Sequence, residues 1–286
     1  MKGLVRWARS FTPGFPVSED ITPEEIVESL RTAGVTRFFN LVFPLWEEET
    51  EELNRFNRDL CAGIPEAVPF GSVHIATRDK EGETLRCIEE YGFVGMKLHP
   101  FAQRFPAFTP EMYPMFRVLD RYHRPLLVHT GFDEFYGMRM DLEAMERVLD
   151  EFPGMQVVAV HSLFPRFRFA YHCMEKYTNL WLDVTNTVSC IRLYRDLKEK
   201  GGEVPGADSL EMEVLEDNYD YLFALFRDYS HRIMYGTDFP VGFGCHAALL
   251  EDLRFLELGK EVERNLLQGA VSALLERCGA ADGLIS

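Results

Sequence analysis

Short apolar runs alternate with longer amphipathic ones along most of this chain. Residues 38–43, 70–75, 93–98, 126–129, 157–161, 180–184 and 233–237 form the apolar runs, and they are rich in Val, Leu, Ile and Phe. Few of them alternate strictly with polar residues, which is the pattern of strands covered on both faces. Between them, residues 22–30, 47–60, 84–91, 111–122, 141–152, 170–177 and 261–278 read as helices. The first is the best marked: Thr22 suits the N-cap, Pro23 the first helical position, and Glu25 closes a capping box, with Gly34 beyond its end. In the fifth, Leu142, Met145, Val148 and Leu149 share one side. Strand and helix in regular alternation predict a parallel sheet with helical crossovers. The fold class is therefore α/β, a TIM (β/α)8-type barrel lacking or altered in its first strand. An open doubly wound sheet is disfavoured, because no GxGxxG or GxxxxGK[ST] loop is present. Residues 1–20, where that first strand belongs, contain no convincing apolar run. Residues 1–286 read as one barrel domain, and residues 188–230 as an insertion between the last two strands, serving as a lid or as a plain connection.

Composition narrows the partners. The net charge of -16 and the scattering of Lys and Arg exclude the clustered basic surface that phosphate backbones require, so no nucleic acid is expected. No apolar run approaches the roughly 20 residues that span a bilayer, and no signal-peptide pattern follows Met1. The six cysteines show no CxxC and no regular spacing, which fits a reduced, cytoplasmic protein. A small molecule is the expected partner, and a homodimer the oligomer left open.

Chemistry concentrates where the strands end. Lys97 and His99, His129, His161 and Asp238 each stand at or just past an apolar run. In a parallel barrel all those ends converge on one mouth. A single strand-end histidine is more often structural than functional, so convergence carries the argument. Lys97 and His99 share a strand face by the two-residue period and are candidates for substrate contact, with Lys97 alternatively paired to Asp183. His74 lines the mouth at best, and His246 is a weaker candidate for substrate contact. His123, His172 and His231 read as surface or helix-end residues. The Phe-rich segments 101–108 and 164–169 wall the pocket or join the core.

The segments Lys97-Leu98-His99-Pro100, Val128-His129-Thr130-Gly131, Val160-His161-Ser162-Leu163 and Tyr235-Gly236-Thr237-Asp238-Phe239-Pro240 occur in an order that resembles the amidohydrolase-2 (amidohydrolase-related) family. Those proteins are metal-dependent TIM-barrel hydrolases and decarboxylases, and the resemblance runs from the Thr22 helix to the last helix. It implies His129 as a metal ligand and His161 as a ligand or polarising group. It implies Asp238 as a metal contact and the base that takes the proton from water. The implied cofactor is a divalent metal, zinc ahead of manganese or iron. Two departures stand out. The family's first-strand HxH pair is absent, the first histidine being His74, and the last helix has Gln268-Gly269-Ala270 where the family often has Gly-Asn-Ala. Either the pair lies upstream of Met1, or metal use is altered or lost. Three functions follow. The first is metal-dependent C–N or C–O hydrolysis, or decarboxylation, of a small carboxylated or cyclic substrate. The second is a catalytically inactive, metal-poor binding protein, and the third a Schiff-base lyase using Lys97.

Overall fold

The computed structural model describes residue 6 and residues 17–192, 212–241 and 245–280. Seven strands run in chain order across one sheet: β1 (Phe38–Asn40), β2 (Ala67–Gly71), β3 (Gly95–Leu98), β4 (Pro125–His129), β5 (Gln156–Val160), β6 (Leu180–Asp183) and β7 (Ile233–Met234). Every neighbouring pair is parallel. This is the curled parallel sheet of a TIM-type barrel, and among the described residues β7 does not pair with β1. The expected first strand falls on residues 1–20, most of which lie outside the described residues.

Helices follow the strands: α1 (Pro23–Thr32), α2 (Thr50–Ala62), α3 (Lys80–Leu85), the single turn α4 (Pro100–Gln103), α5 (Tyr113–Arg121), α6 (Leu142–Glu151), α7 (Phe167–Lys176), α8 (Met212–Tyr229), α9 (His246–Phe255), α10 (Lys260–Arg264) and α11 (Ala270–Arg277). None of the described helices is long and apolar enough to cross a membrane. The expected capping box is present: the Glu25 amide donates to Thr22 Oγ1 at 3.2 Å, and the Thr22 amide donates to the Glu25 carboxylate at 2.8 Å. Thr22→Ala is expected to cost about 1 kcal/mol, read as a shift in the denaturant midpoint.

Some boundaries differ from the periodicity. The second strand lies at Ala67–Gly71 rather than 70–75, and α3 starts at Lys80 rather than 84. The cause of the second is a cap: Asp79 accepts the Gly82 amide at 2.8 Å, and glycine inside the first turn hides the helix from a propensity reading. The helix α9 was not expected at all. In the 188–230 region, α8 places buried Leu222, Leu225 and Phe226 in the helix-side core beside α7, while residues 193–211 lie outside the described residues.

The two-residue period decides what the barrel presents. Met96 and Leu98, Leu126 and Val128, Val157 and Ala159, Leu180 and Leu182, and Ile233 point into the core beneath the helices, against Met115, Phe116, Leu119, Met145 and Val148. The intervening Leu127, Val158, Val160, Trp181 and Met234 form a second cluster on the opposite face, with Val68, Phe70, Ala270 and Leu274. Lys97, His129 and Asp183 fall in phase with this second set. That is why charged and imidazole side chains meet at one end of it.

Candidate active site at the C-terminal ends of the strands

Lys97, His99, His129 and His161 are all buried, at 4%, 9%, 6% and 2% exposure. Polar groups this deep need partners or a function. His161 Nδ1 lies 2.8 Å from the Thr185 carbonyl, and that oxygen can only accept, so Nδ1 carries the proton. The His161 Nε2 lone pair therefore faces His129 Nδ1, 3.2 Å away, which donates to it. The chain ends on His129 Nε2, a buried lone pair with no hydrogen-bond partner among the described residues. His99 stacks on His129 with ring centroids 3.8 Å apart and caps α4 by accepting the Ala102 amide at Nδ1.

The backbone around His161 is unusual. His161, Ser162 and Leu163 take positive φ of 65°, 52° and 59°, a region that L residues visit at a cost of order 1–3 kcal/mol each. Cross-loop bonds hold them there: Thr187 Oγ1 donates to the His161 carbonyl, Ser162 Oγ to the Asp183 carbonyl, and the Leu163 amide to Thr130 Oγ1. Asp238 also sits at positive φ (55°) just past β7, with Asn186 donating to its carboxylate at 3.4 Å.

Burial and charge set the protonation states. Burial, then the field of Lys97, takes His99 well below the usual imidazole range. Burial, His99, His161 and Lys97 do the same to His129. His161 falls to about 3, through burial first, with the Thr185 bond opposing. All three are neutral at pH 7. Lys97 falls to about 8 by burial, against the pull of Asp238 and Asp183. Asp238 rises to about 6 through desolvation, with Asp183 adding and Lys97 opposing. By area Asp238 is exposed, so water reaches one side of a carboxylate that protein encloses on the others, and its shift is upward. Asp183 is raised by burial and steadied by the Thr185 amide at 2.8 Å.

The expected direct ion pair between Lys97 and Asp183 is not made: Asp183 acts on Lys97 through its field, and Thr185 occupies its oxygen. His74 accepts the Ala76 amide and meets Phe105 edge-on, which engages it in its own turn rather than in the imidazole cluster. Of the Phe-rich segments, Phe101 touches the site, edge-on to His129, whereas Phe105, Phe108, Phe164 and Phe167 belong to the helix-side core. His246 is buried with neither ring nitrogen partnered among the described residues, packed on Phe239. Tyr136, Thr185 and Asn186 are site residues that sequence periodicity missed.

A divalent ion fits this donor chemistry at one point and only partly as a cage. His129 Nε2 is an orphaned lone pair on a ring whose tautomer is fixed from behind by His161, the arrangement typical of a metal-binding imidazole. No three His, Cys, Asp or Glu side chains among the described residues stand ready to hold an ion together. A separate groove of about 550 Å³, with Glu47, Glu51, Arg55, Glu83 and Arg86 among its lining, shares none of the cluster residues.

An amidohydrolase family model matches residues 14–269. No functionally curated protein matches the chain by sequence. An uncharacterised TIM-barrel protein from Bordetella bronchiseptica is 20% identical, covering 96% of this chain and 90% of that one, with a TM-score of 0.67. A candidate 2-pyrone-4,6-dicarboxylic acid hydrolase from Pseudomonas putida is 19% identical over 96% and 94%, TM-score 0.63. A 5-carboxyvanillate decarboxylase from Novosphingobium aromaticivorans, its structure containing manganese, is 12% identical over 87% and 80%, TM-score 0.59. At these identities the likeness establishes the barrel alone. The family match spans most of the sequence, and the chain belongs to the amidohydrolase family.

Proposed function

We propose that this chain is a metal-dependent hydrolase that activates water for C–N or C–O cleavage of a small carboxylated or cyclic substrate, with decarboxylation the alternative outcome at the same site. The observation that carries the reading is the orphaned Nε2 of His129, backed by His161 and Thr185, at the mouth that Lys97 and Asp238 share. A divalent ion, zinc by preference, supplies a water of lowered pKa when bound. His129 would hold it through Nε2, with His161 fixing the tautomer of that ring from behind and Asp238 as the further ligand the family implies. Asp238, poised near neutrality, accepts a proton at its carboxylate oxygen and returns it to the leaving group. Lys97 offers a buried positive charge to a substrate carboxylate, and His99 keeps His129 upright by stacking. The family match and the manganese in the decarboxylase support the metal.

The pH profile tests this assignment. Asp238 works as the carboxylate, so kcat/KM is expected to rise with pH through about 6. Lys97 works as the ammonium, so activity is expected to fall as pH passes about 8. A profile flat from pH 5 to 9 would remove both groups from the reaction. Turnover that survives complete chelation would remove the metal.

The depressed pKa of Lys97 favours a second reading, Schiff-base chemistry with a carbonyl substrate. Borohydride would then trap substrate on Lys97, whereas an unmodified lysine by mass spectrometry dismisses it.

A further inference from the structure

The loop that follows β4 is tied tightly to the loop that follows β5. Gly131, at φ +69°, runs so close to the second loop that a Cβ there would lie 2.8 Å from the Phe164 nitrogen. The Phe132 amide donates to the Phe164 carbonyl at 3.1 Å, and the two rings stack at 4.6 Å. Asp133 is fully buried and receives both terminal nitrogens of Arg166, at 3.0 and 2.9 Å, together with the Met140 amide at 3.0 Å. A two-point guanidinium–carboxylate fork fixes orientation as well as distance.

Asp133 opens the helical turn Asp133–Tyr136, whose far end carries Tyr136, its carbonyl accepting from Arg104 Nη1 at 3.3 Å. Its half-buried ring stands edge-on to His99 and His129, at 5.5 and 5.6 Å, and stacks on Phe101 at 5.2 Å. Burial first, and then the Asp238 charge, raise its pKa, so the phenol keeps its proton throughout the neutral range.

We propose that Tyr136 is a substrate-contacting hydrogen-bond donor of this site, and that Arg166 is a positioning residue that acts on it through Asp133. The proposal rests on the reading of the mouth as an active site and extends it. Tyr136 packs edge-on to His129 and His99, so an anionic oxygen held by Lys97 beside His129 would adjoin its ring. A neutral phenol donates to such an oxygen without adding charge.

Benzoate is a suitable probe, its binding to the whole chain followed by titration calorimetry. Wild type is expected to bind it, Tyr136→Phe to bind about tenfold more weakly with an unchanged melting curve, and Arg166→Met to weaken it comparably. The double variant should be no weaker than Tyr136→Phe alone, because Arg166 then has nothing left to position. Arg166→Lys should restore part of the loss. Benzoate binding untouched by Tyr136→Phe, or additive losses in the double variant, would overturn the proposal. If Lys97→Met abolishes binding while Tyr136→Phe does not weaken it, the proposal fails and the active-site reading stands. If wild type binds no benzoate, or binds it regardless of both substitutions, the active-site reading fails and takes this proposal with it.

Discussion

Asp238→Asn is expected to lower kcat by about 10²–10⁴-fold, the usual contribution of a positioned general base, while the protein stays folded. The amide is isosteric with the carboxylate and cannot take up a proton at neutral pH. Asn is also among the few residues that tolerate the positive φ of 55° found here. Its oxygen can still accept from Asn186 Nδ2, so that side-chain hydrogen bond survives. Circular dichroism and the melting temperature should therefore match wild type as turnover collapses. An Asn variant that retains turnover would show that the proton goes elsewhere. His161, at about 3 and with Nδ1 committed to Thr185, is poorly suited to take it.

Gly95→Ala should be the most damaging single-methyl change in the sheet. A Cβ at this position would lie 2.1 Å from the Pro125 carbonyl oxygen and 2.9 Å from Phe70 Cε1. Those atoms belong to β4 and β2, the strands on either side. The oxygen is backbone, so no rotamer change relieves the contact, and β3 must move away from a ladder that is buried throughout. Overpacking of this kind costs about 3 kcal/mol, which for a chain of this size lowers Tm by roughly 6–12 °C. Lys97 lies two residues further along the same face, so activity should fall with stability. Gly63→Ala is the control: its φ is -92°, and the nearest atom to a new Cβ, the Leu60 carbonyl, is 3.8 Å away. Scanning calorimetry of the two variants decides the matter, and equal melting temperatures would contradict the packing argument.

Much of this was legible in the residues. The near-continuous apolar runs correctly marked the central strands, because a strand sealed on both faces has no room for polar alternation. The convergence of Lys97, His99, His129 and His161 followed from parallel topology, since each stands at the same end of a parallel strand. Loop geometry was not legible. Nothing in the spacing of Asp133 and Arg166 announces a buried fork across 33 residues, and hence nothing brings Tyr136 into the site. Thr185 is missed for the same reason, because it acts through its backbone carbonyl and amide, which carry no sequence signature. The isolated apolar pattern also cannot say that His74 serves its own turn while His99, also near a strand end, stacks on His129.

The site stands or falls on His129. Calorimetric titration of chelator-stripped protein with Zn²⁺ should show one ion bound per chain in wild type, with binding lost in His129→Ala and retained in His74→Ala. Failure of wild type to bind any ion, or binding that His129→Ala leaves intact, would contradict the account.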